Sequence, residues 1–590
     1  MEILYIWIDN YKNIIKQGFN FSNRWKFEYN ENDIVSISKK GDYLESRFFS
    51  KGKNVTVRFS EGNELDKEAE VNTHHPIFNV TAIVGENGSG KSSLLDFLKY
   101  ELTLQEPWKI KGHYNQKEWL SNLKQNWIIF NQGQKTILAK TNNNNVTFLE
   151  ISSHFEKMPD SFQISQLKKD EFSWKTDNKR RVLPYTTIFY SNFFDGKKEY
   201  ENKGLINLST NFFIRKDKER HELRDSAQRK FKHEWVQIDN VDAYNLKEVE
   251  RQLEFLGDLY YMSGNEDVKK RFDFLPDTLF VKTSKLDKNK ISQLIENVFF
   301  RNKETEDELR DILVNFEKGF KDAKEASKDF IIFFEIEFFE ALFFRQIRKS
   351  FKESREPINF LLEKLRKIDD SNSVEKAKQF LQNYPNSEFD RLQSLLNLLK
   401  EFNIEVRSYF GEHQEYSPKE GVVIIPMNLI KNKVLGIGNL FRYYQSLVGF
   451  GSHFLDFSWR TMSSGEFTLF NLFARFYNAK KQNGNPPFYP GFWNDSLLFL
   501  LDEGETGFHP KWQKEYLNIL LDFLPRKELV TWEKDNPNNG IQIILTTHSP
   551  FILSDLPKSN IIFLKRDQNG NCKVVDGLNE KKQTFGANIH

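Results

Sequence analysis

Residues 81–100, TAIVGENGSGKSSLLDFLKY, constrain this chain more than any other stretch. Thr81, Ala82, Ile83 and Val84 make a short apolar run suited to a buried parallel strand. Gly85, Glu86, Asn87, Gly88, Ser89, Gly90, Lys91 and Ser92 then satisfy G-x-x-x-x-G-K-S. After Ser93, the spacing of Leu94, Leu95 and Leu98 predicts one apolar face of a helix. The order follows from phosphate chemistry. Glycines without a Cβ let backbone N–H groups curl around a phosphate, and a helix start adds partial positive charge. Lys91 has the reach for β- and γ-phosphates, and the Ser92 hydroxyl can ligate Mg²⁺. An ordinary glycine-rich turn before a helix needs neither the buried strand nor both terminal motif residues. The stretch therefore implies a nucleoside triphosphate ligand.

A chain of 590 residues has room for several cores, about four domain-sized units. With 85 Lys+Arg against 83 Asp+Glu, any nucleic-acid contact must come from a local patch. The single cysteine, Cys572, excludes an intramolecular disulfide framework and a cysteine-cluster zinc site. It fits a reducing cytosol, so a cytoplasmic location is predicted. The start, MEILYIWIDNYKN, lacks the basic, apolar and small-residue segments of a secretion signal. The most apolar run, residues 330–344, is interrupted by Glu335, Glu337 and Glu340 and is too short to span a bilayer.

Residues 1–80 read as strands with turns, with 53–59 a further strand candidate. In the first of these, Ile3, Tyr5 and Trp7 alternate with Leu4, Ile6 and Ile8, a pattern for burial on both faces. Residues 127–130, 136–139 and 146–151 are strand-like, the last two joined across an asparagine run as in a hairpin. Residues 186–190, TTIFY, predict a buried strand ending at Ser191, Asn192 and Asp195. Asn192 is a candidate for sensing a γ-phosphate or its Mg²⁺; a strand-ending turn accounts for it equally well. From about 245 to 403 the chain reads as a compact helical bundle. Its segment FIIFFEIEFFEALFF suits a helix in the middle of that bundle, with a partner interface the alternative. The charged stretch 215–233 is net basic but diluted by acids, so a solvated helix face and a nucleic-acid contact both stay open.

Chemistry returns near the end of the chain. After a strand-like run at 454–459, Ser463, Ser464, Gly465 and Glu466 open a helix continued by Phe467, Leu469, Phe470, Leu472 and Phe473. Small hydroxyl and glycine residues there offer donors to an anion, although helix capping explains them as well. Residues 496–501, SLLFLL, make an apolar run, wholly buried if it is a strand, and end in Asp502 and Glu503. Two acids at the tip of a buried strand are costly without a task. Asp502 can hold Mg²⁺, and Glu503 can orient and deprotonate an attacking water. A turn, GETGFHP, precedes a helix starting near Lys511. The strand 541–545 then runs into Thr546, Thr547 and His548, where an imidazole can touch a γ-phosphate or the attacking water.

Together these residues resemble the ABC-type ATPase superfamily. Gly85 to Ser92 is similar to its Walker A, Met462 to Glu466 to its signature motif, Leu498 to Glu503 to its Walker B, and His548 to its switch histidine. DEGETGFHP and TTHSPFILSDLP resemble segments of the overcoming-lysogenization-defect and RecF-like branch, which includes ATPases of Septu and retron-linked phage-defence systems. The likeness covers roughly residues 1–100 and 440–590. There are departures: Gly504 stands where many relatives have proline, no glutamine-bearing loop is evident, and about 370 residues separate Lys91 from Ser463. So long a connection predicts an inserted domain and argues against a transporter subunit.

The resemblance implies an α/β fold: an ABC-type ATPase head, with a mixed sheet, P-loop and antiparallel β subdomain, and a large, mainly helical insertion. The expected boundaries are 1–200 for the first lobe, 201–440 for the insertion and 441–590 for the second lobe. It further implies ATP with Mg²⁺ as cofactors. The site is expected to be composite, with one subunit's Walker A and Ser92, Ser93 facing Ser463, Ser464, Gly465 and Glu466 of a second copy. The expected assembly is thus a homodimer around two ATPs, with hydrolysis by Glu503 loosening it. A phage-defence ATPase that contacts DNA and controls a separately encoded nuclease or toxin is the leading expectation, with no membrane partner. A DNA-repair clamp, or a nuclease hidden in the insertion, remain as other classes.

Overall fold

The apolar runs of the sequence become adjacent strands of one sheet in the computed structural model. It describes residues 2–30, 32–40, 77–101, 126–132, 134–142, 145–155, 157–169, 185–199, 205–217, 240–263, 274–276, 278–283, 303–327, 330–353, 358–366, 372–382, 397, 400–401, 404, 415–417, 422–426, 455–459, 462–481, 496–524 and 540–575. The strand expected at 53–59, His74, His75 and the basic stretch beyond Asp217 lie outside the described residues. The chain divides into two units, Met1–Phe212 with Phe476–His590, and Phe213–Arg475.

In the first unit, the N-terminal lobe contributes β1 (Glu2–Tyr11), β2 (Ile14–Asn20), β3 (Trp25–Tyr29), β4 (Ile34–Lys39), β5 (Ile77–Gly85) and α1 (Lys91–Asp96). It continues through β6 (Trp127–Gln132), β7 (Lys135–Asn142), β8 (Asn145–Ser152), β9 (Ser161–Gln163), β10 (Lys168–Lys169), β11 (Thr186–Ser191) and β12 (Leu205–Asn207). β1 is buried on both faces, as its composition predicts. Ile3, Ile6 and Ile8 join the core beneath Leu94 and Leu95, while Leu4 and Tyr5 pack with Phe27, Trp127 and Ile129 on the other side. Ile3 and Ile6 share a face despite their odd spacing because the register with β6 shifts between Ile3 and Tyr5, and such a bulge flips the alternation.

The described residues of the second unit include the helices α2 (Asn240–Ser263), α3 (Lys303–Ala326), α4 (Phe330–Glu353), α5 (Ile358–Arg366) and α6 (Ser373–Gln382). The Phe-rich segment is α4. It packs against α3 and α6 through Phe343, whose ring lies 4.4 Å from that of Phe316 and 5.3 Å from that of Phe380. Its acids are not left bare: Lys324 of α3 meets Glu337 at 3.0 Å and Glu340 at 2.6 Å. The unit is not helical throughout, however. β13 (Thr278–Thr283), β14 (Glu415–Ser417), β15 (Val422–Pro426) and β16 (Leu455–Ser458) form a sheet in the order β14-β15-β13-β16. Only the strand at 455–458 is anticipated by the sequence. The others are short, and β13 lies far in sequence from both of its partners, so local pattern does not reveal them.

α7 (Ser464–Lys481) follows β16. Ser463 caps it: its hydroxyl accepts from the Glu466 N–H at 3.3 Å, and the Glu466 carboxylate accepts from the Ser463 N–H at 2.7 Å. This reciprocal pair is a capping box. Leu469, Phe470, Leu472 and Phe473 are buried as expected, whereas Phe467 is exposed. Within the second unit α7 is anchored by Arg475, fully buried, which donates to Glu248 at 3.1 Å and to the Tyr244 hydroxyl at 2.6 Å. Glu248 also receives Arg251, which in turn forks onto Asp217 at 3.1 and 2.7 Å. Buried charges on this scale persist only when paired and hydrogen-bonded throughout.

The first unit resumes with β17 (Ser496–Asp502), α8 (Pro510–Phe523), β18 (Gly540–Thr546), α9 (Pro550–Ser554), β19 (Ile561–Arg566) and β20 (Cys572–Val575). Its main sheet has 13 described strands in the order β10-β8-β7-β6-β1-β2-β20-β19-β5-β18-β17-β11-β12. The run from β19 to β12 is parallel, and the run from β10 to β2 antiparallel. β5, which leads into the glycine loop, lies between β18 and β19 and is separated from β17 by β18 alone. A smaller sheet, β3-β4-β9, covers the face that includes Tyr5 and Trp127.

Candidate functional site

Parallel register fixes what meets at the C-terminal edge of this sheet. Ile83 pairs with Thr546, Thr546 with Asp502, and Asp502 with Ser191. The glycine loop, the Asp502-Glu503 pair, His548 and Asn192 therefore leave neighbouring strands at the same end. In open α/β sheets this is where ligands bind.

The loop itself is tightly built. Gly88 and Gly90 adopt φ of 79° and 108°, open to glycine and strained for other residues. A Cβ at Gly85 would fall 2.4 Å from the Leu564 carbonyl oxygen and from the Ser89 hydroxyl. That hydroxyl is fully buried and has no hydrogen-bond partner among the described residues. Lys91 opens α1, buried, with its ammonium donating to the carbonyls of Gly85 at 2.7 Å and Glu86 at 3.2 Å. Burial pulls its pKa below the ordinary lysine value, against the upward influence of Glu503 and Asp502. Those two acids thus share an electrostatic neighbourhood with the lysine. The Ser92 side chain is exposed to a cleft of about 460 Å³, which Lys91 and Glu503 also line.

The acids differ in setting. Asp502 accepts from the Thr546 hydroxyl at 2.7 Å, and burial raises its pKa above the usual carboxylate range. Glu503 sits at φ 47°, the left-handed region, with its N–H on the Thr546 carbonyl at 3.2 Å. A glutamate held there costs about 1 kcal/mol or more, and such strain collects at functional positions. Its carboxylate is 40% exposed and lies 3.4 Å from Nε2 of His548. The base candidate therefore faces the cleft, while the metal-ligand candidate sits behind it.

Glu505 is a residue whose part is not evident from the sequence. It is buried, and one carboxylate oxygen accepts from the Thr547 hydroxyl and, at 3.3 Å, from the His548 N–H. It therefore ties the turn after Glu503 to the loop bearing His548. Burial raises its pKa, and its second oxygen has no partner among the described residues. The Tyr516 hydroxyl of α8, fully buried, is likewise unpartnered. It occupies the space beside Gly504, where a Cβ would fall 2.3 Å away. This accounts for glycine at a position where many relatives of the resembled family have proline. Gly504→Ala should lower stability by about 1–3 kcal/mol, as overpacked cores do. Tyr516→Phe should be neutral or stabilising and should remove most of that cost in the double variant. Denaturant titration of the four proteins checks both expectations.

The β1–β2 turn is the second unanticipated contributor. Asn13 donates to the Gly88 carbonyl at 3.2 Å and accepts from the Ser93 hydroxyl at 2.6 Å, so Ser93 braces the loop. Its own carbonyl accepts the Cys572 N–H at 2.7 Å. Lys12, at φ 53°, pairs with Asp96 at the end of α1. The signal for this turn is the polar pair Lys12 and Asn13 between the apolar strand β1 and Ile14 and Ile15; its docking on the loop is tertiary.

Ser463, Ser464, Gly465 and Glu466 are described in the second unit, the two serines exposed at the start of α7. Among the described residues no group of three or more His, Cys, Asp or Glu is arranged to hold a metal. Hard oxygen donors from Ser92 and Asp502 suit Mg²⁺, which keeps waters and phosphate oxygens as most of its ligands. No helix among the described residues is long and apolar enough to cross a membrane. A family model described as "AAA domain, putative AbiEii toxin, Type IV TA system" matches residues 80–554.

Proposed function

We infer the function from one premise: the chain belongs to this AAA-domain family, a family of P-loop ATPases. It binds and hydrolyses ATP at the edge where Lys91, Ser92, Asp502, Glu503 and His548 leave adjacent strands. The observation that supports this most is the pairing of β5, β18 and β17, which brings the glycine loop and the acidic strand tip to one cleft. Backbone N–H groups of residues 87–92 and the Lys91 ammonium grip the phosphates. Ser92 and Asp502 would hold Mg²⁺, which supplies charge neutralisation on the β- and γ-phosphates. Glu503 takes a proton from the attacking water, and His548, beside it, fixes that water against the γ-phosphate. Glu505 positions His548 through its backbone N–H.

The finer reading places the chain in the overcoming-lysogenization-defect and RecF-like branch, as DEGETGFHP and TTHSPFILSDLP suggest. The exposed start of α7 at Ser463 and Ser464 then caps the γ-phosphate of a second copy, so that ATP joins a dimer. The biological role is that of the ATPase component of an anti-phage defence system, acting on a separate nuclease or toxin. Light scattering with and without ATP and Mg²⁺ tests the dimer, with a doubling of mass expected on adding both. An unchanged mass together with normal turnover would remove the composite site. Co-purification with the product of a neighbouring gene tests the effector. Plasmid nicking by the chain alone, lost on changing a residue of the second unit and kept in Lys91→Ala, would favour a nuclease instead.

A further inference from the structure

The cleft has a wall that neither the glycine loop nor the acidic strand tip accounts for. Besides Lys12 and Asn13, it is lined by Arg566 and Gly570 from the hairpin joining β19 to β20. That hairpin is locked. Asp567 accepts through its side chain from the N–H groups of Asn569 at 2.9 Å and Asn571 at 2.7 Å. Gly570, at φ 85°, closes the turn by donating to the Asp567 carbonyl at 3.0 Å. The returning strand is keyed to the glycine loop, since a Cβ on Gly90 would fall 2.8 Å from the Cys572 sulfur. Arg566 is thereby aimed. Its guanidinium lies 3.0 Å from where a Cβ on Gly570 would be, and 3.8 Å from the same point on Gly88. The side chain crosses the bare Gly570 and ends over the middle of the glycine loop.

We propose that Arg566 is a nucleotide-binding residue, its guanidinium contacting the phosphates of the nucleotide held by the loop. This rests on the reading that the loop holds a triphosphate. Gly88 belongs to the segment whose N–H groups face the anion, so a guanidinium beside it meets phosphate rather than base. Arg566 is exposed at the cleft, and a planar fork of donors suits phosphate oxygens. Lys12 is partly answered by Asp96, and Lys91 bonds loop carbonyls, so Arg566 adds a further cation at the cleft. Gly570 is needed for a stated reason: any side chain there is strained and meets the guanidinium.

The test is calorimetric binding of Mg²⁺–ATP and, separately, of inorganic tripolyphosphate to the parent, Arg566→Ala, Arg566→Lys and Lys91→Ala proteins. Arg566→Ala should weaken both ligands about tenfold, the scale of a charge-assisted hydrogen bond to an ion. Arg566→Lys should recover part of the loss, and melting without nucleotide should not change, because the side chain is exposed. Unchanged affinity in Arg566→Ala, or a loss confined to ATP with tripolyphosphate unaffected, overturns the proposal. If Arg566→Ala is silent while Lys91→Ala loses binding, only Arg566 is misassigned. If both are silent, the phosphate-binding reading of the loop falls with it.

Discussion

Replacing Glu503 with glutamine is expected to lower ATP turnover at least about a hundredfold while nucleotide stays bound. The amide keeps the volume and neutrality of the protonated acid but cannot accept a proton from water. The backbone should not notice the exchange. Glu503 is held at φ 47° by its N–H on Thr546, a contact that does not involve the side chain. Its carboxylate touches His548 at 3.4 Å and is otherwise turned to the cleft. Single-turnover phosphate release and nucleotide retention on a size-exclusion column separate the two effects. By the composite-site reading, the variant should also persist as an ATP-bound dimer. A variant that hydrolyses at the parent rate would assign the base elsewhere, with Asp502 and Glu505, its neighbours in sequence, the next to be replaced.

Lys91→Met should lose at least about a hundredfold in ATP affinity, since the ammonium is the buried cation of the loop and charge-assisted bonds to phosphate are the strong ones. The fold should respond in the other direction. Burial lowers the pKa of Lys91, with Glu503 and Asp502 opposing the shift. A base depressed on folding adds stability only above its unfolded pKa, ordinarily 10.5, and that contribution is lost as pH falls through the folded value. At neutral pH the charged lysine is therefore a cost to the nucleotide-free protein. Methionine removes it, at the expense of the ammonium's bonds to the Gly85 and Glu86 carbonyls beside the cleft. Melting of the variant at pH 7 should match or exceed that of the parent, and the gap should narrow toward pH 10.5. A melting point many degrees lower would make Lys91 a structural residue first.

Much of this site is readable from the chain because its strands are extreme cases. β11, β17 and β18 are covered on both faces, so each carries a run of consecutive apolar residues rather than an alternation, and its end marks the functional edge. The hairpin β7–β8 and the helix after Pro510 are equally local in origin. What stays hidden depends on contacts between distant segments. Nothing near Arg566 in sequence says that Gly570 leaves its side chain a path to Gly88. Nothing near Glu505 says that Thr547 and the His548 N–H will bond to it. β13, β14 and β15 escape notice because three to six residues carry little periodicity, and β13 lies far in sequence from both strands it pairs with. The capping box at Ser463 and Glu466 shows the converse limit: a motif can satisfy a local rule and still leave its wider role open.

The position of β5 has a consequence for how the molecule is made. The strand preceding the phosphate loop has only β18 and β19 as sheet neighbours, and both are encoded more than 450 residues downstream. A ribosome releases the loop sequence early, yet that ribbon of backbone finds no strand to pair with until the chain has been translated past Gly540. Nascent chains and premature stops before Gly540 thus carry two naked β5 edges. Such edges are sticky. Competence for ATP in this way waits on the synthesis of β18 and β19, and products truncated before Gly540 should be found with chaperones or in inclusions rather than as half-active enzyme.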